Sequence, residues 1–129
     1  MFKFKKEIRV MVVDDDFYAL GVLKEALEKK GWNVLDFTDP NAALEKLRKE
    51  KVDLVLSDLK MPDMDGIYFM NEVKTIHPSV PVILITGFAS IETAVRAIQW
   101  GAFDYLKKPY EIPKIYDVLD KALQSAVSN

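Results

Sequence analysis

The stretch Leu54-Val55-Leu56-Ser57-Asp58-Leu59-Lys60-Met61-Pro62-Asp63-Met64-Asp65-Gly66 decides the reading of this chain. A short apolar run ends on one aspartate, and a loop rich in Pro, Asp and Gly follows at once. The run is too short for a helix and is bounded by turn signals, so it reads as a buried strand. In an open parallel sheet the side chains that do chemistry sit just past the carboxyl ends of the strands, and Asp58 holds such a place. Taken alone, an aspartate there does no more than start a turn. The rest of the chain decides between the two readings.

Upstream, Ile8 to Val13 is mostly apolar, with Val at three of its six positions. It reads as a first buried strand and ends on Asp14-Asp15-Asp16. Asp16 is placed to cap the helix that follows, because its side chain can accept from amides of the first turn. That helix carries Leu20, Leu23 and Leu27 on one face and stops at Gly31. Asn33 to Phe37 is a short second strand. Asp39-Pro40 then supplies a cap and a proline at the first helical position. Ala43, Leu44 and Leu47 line this second helix.

Downstream, Gly66 to Ile76 reads as a third helix with Met70 and Val73 turned inward. Pro78 and Pro81 bracket a turn. Val82-Ile83-Leu84-Ile85 is a fourth strand and ends on Thr86-Gly87. Ser90 caps a fourth helix with Ile91, Ala94, Val95 and Ile98 at helical spacing, and Gly101 ends it. Phe103 to Leu106 is a fifth strand leading into Lys107-Lys108-Pro109. The last helix carries Ile115, Val118, Leu119, Ala122 and Leu123 as an amphipathic stripe. Strand and helix thus alternate five times, which implies a parallel sheet with helices on both faces. Right-handed crossovers leave few topologies, and the flavodoxin-like order 2-1-3-4-5 leads, a (βα)5 fold with its switch point between strands one and three.

At 129 residues the chain is most simply one domain. Residues 1–7 read as a basic tail and 8–129 as the domain. There is no cysteine, so disulfides and thiolate metal sites are excluded. No apolar run approaches a membrane span, and Met1-Phe2-Lys3-Phe4-Lys5-Lys6 lacks the apolar core of a signal peptide. A cytoplasmic location follows as the default. The net charge of −2 argues against a nucleic-acid surface.

Strand one ends on Asp14 and Asp15, strand three on Asp58, strand four on Thr86 and strand five on Lys108. In the order 2-1-3-4-5, strands one and three are neighbours, and their three carboxylates converge. Like charges so close need a compensating cation. A hard divalent ion with oxygen ligands, most plausibly Mg²⁺, meets that need. Lys108 adds a fixed positive charge and Thr86 a hydroxyl donor. A metal, a lysine and a hydroxyl around one carboxylate form a cradle for a phosphoryl group, whose transfer needs mainly positioning and charge neutralisation. A carboxylate can itself act as nucleophile and form an acyl phosphate. Each residue alone has a plainer reading, as a helix cap, a strand-end Thr or an exposed Lys. Their convergence favours a site.

The combination resembles the receiver domain of two-component response regulators. The matching residues are Val12-Val13-Asp14-Asp15-Asp16, Ser57-Asp58-Leu59-Lys60-Met61-Pro62 through Asp65-Gly66, Ile85-Thr86-Gly87, and Asp104-Tyr105-Leu106-Lys107-Lys108-Pro109. The resemblance runs from about Ile8 to Leu123. It implies a signalling switch and not an enzyme acting on an outside substrate. Asp58 would be the phosphoacceptor. Asp15, Asp58 and the Lys60 carbonyl would bind Mg²⁺ directly, with Asp14 acting mostly through water. Lys108 would pair with Asp58 and then with the phosphoryl group. Thr86 would bond to a phosphoryl oxygen, Tyr105 would be a rotating aromatic switch, and the Lys108–Pro109 bond would be cis. Gly87 would leave room for a phosphodonor. A sensor histidine kinase or phosphotransfer protein is the implied donor. The surface of helix 4, strand 5 and helix 5 is the implied output face, toward a partner or a second copy. The run from Thr86 to Tyr105 is similar to receivers of the nitrogen-regulatory-protein-C class, which usually precede an ATPase and a DNA-binding domain. An excised piece and a stand-alone receiver both stay open.

Three rivals fit less well. A haloacid-dehalogenase-type phosphatase would use Asp14 and Asp16 but expects Thr where Tyr18 stands. An EF-hand loop matches Asp63, Asp65, Gly66 and Glu72, but its first ligand would be Met61. A flavin-binding module would put phosphate against three aspartates, which repel it. His77 reads as a surface-loop residue, Trp32 and Trp100 as packing residues beside helix-ending glycines, and Lys5-Lys6 and Lys29-Lys30 as solvated ends.

Overall fold

A computed structural model of the chain describes residues 7–87 and 90–127. Met1 to Lys6 of the expected basic tail lie outside the described residues, as do Phe88 and Ala89. Ten elements alternate along the chain: β1 (Arg9–Val13), α1 (Phe17–Glu28), β2 (Asn33–Phe37), α2 (Pro40–Lys49), β3 (Leu54–Asp58), α3 (Gly66–Ile76), β4 (Val82–Thr86), α4 (Ile91–Gln99), β5 (Asp104–Lys107) and α5 (Ile112–Val127). All strand pairs are parallel and the order is β2-β1-β3-β4-β5, as expected.

Strand alternation splits the core in two, because successive side chains point to opposite faces. Met11, Val13, Val55, Val82 and Leu84 pack with α2, α3 and Ala97 of α4. Val10, Val12, Leu54, Leu56, Ile83, Ile85 and Leu106 pack with α1 and α5. β3 and β4 are buried along their whole length, which is why they read as unbroken apolar runs.

The local signals at the helix starts hold. Asp16, Asp39, Asp65 and Ser90 are N-caps whose side chains accept from first-turn amides. Gly31 (φ 82°) and Gly101 (φ 105°) adopt the left-handed conformation that follows α1 and α4. Gly66 is needed for a different reason. A Cβ there would lie 2.6 Å from the Asp58 carbonyl oxygen and 2.6 Å from Leu59 Cα. Its N–H donates to the Leu59 carbonyl at 2.7 Å, folding the loop after β3 tightly back on the strand.

Several expectations change, and Trp100, read as a packing residue, is 56% exposed. β5 runs from Asp104 to Lys107, one residue later than read. The stripe of α4 turns outward: Ile91, Val95 and Ile98 are 85%, 48% and 51% exposed, and Ala97 is the residue buried beneath the helix. His77 is not a plain loop residue. It is the C-cap of α3, and its half-buried Nε2 lies 3.0 Å from the Leu47 carbonyl oxygen of α2. Lys30 is not merely solvated, since its Nζ pairs with Asp120 at 3.4 Å and lies 5.4 Å and 5.1 Å from the ring centroids of Trp32 and Tyr116. It thereby clips the turn after α1 to α5. Among the described residues no helix is long and apolar enough to cross a membrane.

Candidate functional site

The sheet ladder continues one residue past three strands and thereby fixes the site. Asp14 N–H donates to the Phe37 carbonyl at 3.1 Å, Leu59 N–H to Ile85 at 2.8 Å, and Lys108 N–H to Thr86 at 2.8 Å. The backbone flanking each chemical side chain is therefore tied to a neighbouring strand before its loop begins. Register places Val13 opposite Ser57 and Asp58 opposite Ile85. Asp14 and Asp58 come together across β1 and β3 as the topology requires.

One oxygen from each of Asp14, Asp15 and Asp58 lies within 4.8 Å of the others. Asp14 is fully buried, Asp58 is 7% exposed, and Asp15 faces solvent. Asp14 Oδ1 accepts from the Asp16 N–H at 2.9 Å, and its Oδ2 accepts from Lys108 Nζ at 2.9 Å. Asp58 Oδ2 accepts from the same ammonium at 3.2 Å, while its Oδ1 accepts from the Lys60 N–H at 3.1 Å. The Lys108–Pro109 peptide is cis.

The electrostatics follow from burial and neighbours. Burial, seconded by the charge of Asp14, holds the Asp58 carboxyl above its ordinary value, although Lys108 and the Lys60 N–H pull the other way. Burial alone would lower Lys108, but its bond to Asp14 and the charges of Asp14 and Asp58 outweigh this and hold it above its ordinary value. Burial pushes the nearby Tyr110 phenol up to about 12. Lys108 bonds two of the three clustered carboxylates, Asp14 and Asp58, and Asp15 adds a third beside them, so acidic groups outnumber the one bonded ammonium. Their hard oxygen donors fit a small divalent cation.

Thr86 and Tyr105 lie on the other face of the sheet. Strand alternation sets them with Leu84, opposite which Tyr105 is paired. Thr86 is fully buried at the end of β4. Tyr105 is half-buried, packs against the α2–α3–α4 core, and its hydroxyl lies 2.7 Å from Thr93 Oγ1 in α4.

Comparison with known proteins settles the family. The sequence matches the response regulator receiver domain family over residues 10–120. The chain belongs to that family.

This receiver is 41% identical over 116 residues to the transcriptional regulatory protein ZraR of Escherichia coli K12, covering 90% of this chain and 26% of that protein. It is 40% identical over 114 residues to the DNA-binding transcriptional regulator NtrC of Proteus hauseri, covering 88% and 24%. The solution structure of the beryllofluoride-activated NtrC4 receiver domain dimer superposes with a TM-score of 0.88 at 32% identity, over 92% of this chain and 98% of that one. The likeness to the nitrogen-regulatory class therefore holds. The chain spans about a quarter of the length of the curated relatives it matches.

Two surfaces of the receiver stand out. Beside Lys108, an apolar groove of about 420 Å³ is lined by Ala19, Val22, Pro109 and Tyr110. Phe17 and Tyr18, at the start of α1, are 75% and 85% exposed. On α4, Ala94, Val95, Ile98 and Gln99 line a second shallow depression. Sequence reasoning passed over Thr93 and the capping role of Asp65. The spacing Ser90-x-x-Thr93, a variant of the capping box, is the signal that marks Thr93. Asp65 is legible as the acid immediately before a helix-starting glycine.

Proposed function

We propose that this receiver is a phosphorylatable switch in which Asp58 takes a phosphoryl group from a sensor histidine kinase or phosphotransfer protein. The observation that carries the reading is the near-buried Asp58 carboxylate, held between Lys108 and two further carboxylates at the carboxyl ends of the strands. Asp58 is the nucleophile. Its oxygen forms the bond to phosphorus, the bond from phosphorus to the donor's nitrogen or oxygen breaks, and the donor leaves with that electron pair. Lys108 turns its ammonium from carboxylate to phosphoryl oxygen. The Thr86 hydroxyl donates to another phosphoryl oxygen. Asp14, Asp15, Asp58 and the Lys60 carbonyl would hold Mg²⁺, which when bound neutralises charge on the transferring group. The module speeds its own phosphorylation and dephosphorylation and has no other substrate.

The groove beside Lys108 and the exposed Phe17 and Tyr18 support a protein donor that docks over the site. The outward stripe of α4 supports an output face formed by α4, β5 and α5, engaged by a second copy after phosphorylation. A relative of this receiver is described as an activated dimer. A transcription-control output with ATPase and DNA-binding parts would lie outside this stretch, in the cytoplasm.

The test is incubation with Mg²⁺ and acetyl phosphate. Intact mass is expected to rise by one phosphoryl group, in an adduct labile to base and hydroxylamine. Asp58→Asn should abolish it, since an amide is not a nucleophile. Label that persists in Asp58→Asn would place the acceptor elsewhere.

A further inference from the structure

The start of α4 is closed by a reciprocal box, and Tyr105 is wired into it. Ser90 N–H donates to Thr93 Oγ1 at 3.0 Å, and Thr93 N–H donates to Ser90 Oγ at 3.1 Å. Thr93 Oγ1 also lies 3.1 Å from the Ser90 carbonyl oxygen, 3.0 Å from Ser90 Oγ and 2.7 Å from the Tyr105 hydroxyl. A threonine hydroxyl has one proton and two lone pairs. The Ser90 N–H takes one lone pair. The 2.7 Å contact between Thr93 Oγ1 and the Tyr105 hydroxyl is the shortest that this oxygen makes, and it ties the phenol to the box whichever hydroxyl supplies the proton.

We infer that Thr93 is a positioning residue that couples the ring of Tyr105 to the N-terminal cap of α4, so that movement of the ring and loosening of the cap are one event. This rests on the proposed roles of Asp58 and Tyr105 for its signalling consequence, but the coupling itself is a property of the resting protein. While the bond to the phenol holds, Thr93 is kept in the rotamer that accepts from the Ser90 N–H. When the ring leaves, that restraint goes, and the first turn of α4 loses part of its cap. The outward stripe of Ile91, Val95 and Ile98 begins in this turn, so ring position would reach the output face through helix order as well as through shape. Two observations carry the inference together: the shared oxygen, and a helix whose solvent side is apolar and whose buried side offers only Ala97. Such a helix depends unusually on its cap.

The experiment is amide hydrogen exchange across residues 90–96, in the 129-residue chain, for wild type, Tyr105→Phe, Thr93→Val, Thr93→Ser and the Tyr105→Phe/Thr93→Val pair. Without any ligand, Tyr105→Phe should speed exchange in the first turn about fivefold, the scale of one lost hydrogen bond. Thr93→Val should speed it more, since both the box and the phenol bond are lost. Tyr105→Phe should add nothing in the Thr93→Val background, and Thr93→Ser should resemble wild type. Adding Mg²⁺ and beryllofluoride should bring wild type to the Tyr105→Phe level and leave Tyr105→Phe unchanged. If Tyr105→Phe exchanges like wild type without ligand, or if the two substitutions add independently, the coupling is absent. If beryllofluoride fails to bind, the phosphoacceptor reading fails while the unliganded comparison still decides the coupling.

Discussion

Lys108 sits nearer to Asp14 than to Asp58: its ammonium is 2.9 Å from Asp14 Oδ2 and 3.2 Å from Asp58 Oδ2. Asp14 is wholly buried, so the lysine is the cation that makes its burial tolerable. Lys108 therefore has a structural partner as well as the proposed phosphoacceptor.

Removing that cation leaves a buried carboxylate uncompensated. Lys108→Met is expected to lower the unfolding free energy by about 3 kcal/mol in the presence of a chelator. Added Mg²⁺ should return part of the loss, because a divalent ion replaces the missing charge. Urea denaturation with and without the metal reads both effects. A loss under about 0.5 kcal/mol, as for an ordinary surface lysine, would contradict the pairing.

Asp58 points to an opposite effect. Its carboxyl is held above the ordinary value by burial first and by Asp14 second. A carboxylate shifted in that direction contributes stability that is full below its unfolded value of 3.8 and is lost as pH rises through the folded value. Above the folded value the ionised group therefore strains the fold. Asp58→Asn should denature at a higher midpoint than wild type in metal-free neutral buffer, and the advantage should fade as the buffer is acidified below the unfolded value. Equal midpoints at neutral pH would show that Lys108 and the Lys60 N–H fully offset the burial of charge.

Two glycines separate close approach from mere flexibility. Gly66→Ala drives a methyl into the Asp58 carbonyl and the Leu59 backbone and should cost about 2 kcal/mol or more. Gly21 stands inside α1 with nothing within 4 Å of an added Cβ. Gly21→Ala should stabilise by about 0.5–1 kcal/mol through helix propensity and the entropy of the unfolded chain. Chemical denaturation of the two variants should move in opposite directions, and a shared direction would contradict the contact at Gly66.

The outward stripe of α4 separates folding from association. Val95→Lys and Ile98→Lys lie on exposed positions and should change monomer stability by less than about 0.5 kcal/mol. Both should reduce self-association in the presence of Mg²⁺ and beryllofluoride, as read by sedimentation velocity. A large loss of stability would place the stripe in the core, and undiminished association would move the interface elsewhere.

Local chemistry made much of this protein legible before its structure. The caps Asp16, Asp39 and Ser90, the Asp39-Pro40 pair and the terminating glycines Gly31 and Gly101 act within a few residues, so sequence order shows them directly. The alternation of buried runs and amphipathic stretches leads to a parallel sheet, and strand ends then bring Asp14, Asp15, Asp58 and Lys108 together, while Thr86 ends β4 on the opposite face. Periodicity, however, shows only that a helix has an apolar side, and not whether anything lies against it. On α4 that side faces solvent, because the helix covers the short last strand through Ala97 and leaves Ile91, Val95 and Ile98 beyond the sheet's reach. Likewise, only packing decides that Lys108 pairs with Asp14, 94 positions away, that His77 reaches Leu47, and that Tyr105 shares an oxygen with the cap of α4. Each of these depends on how far apart two elements come to rest, a distance set by the side chains between them.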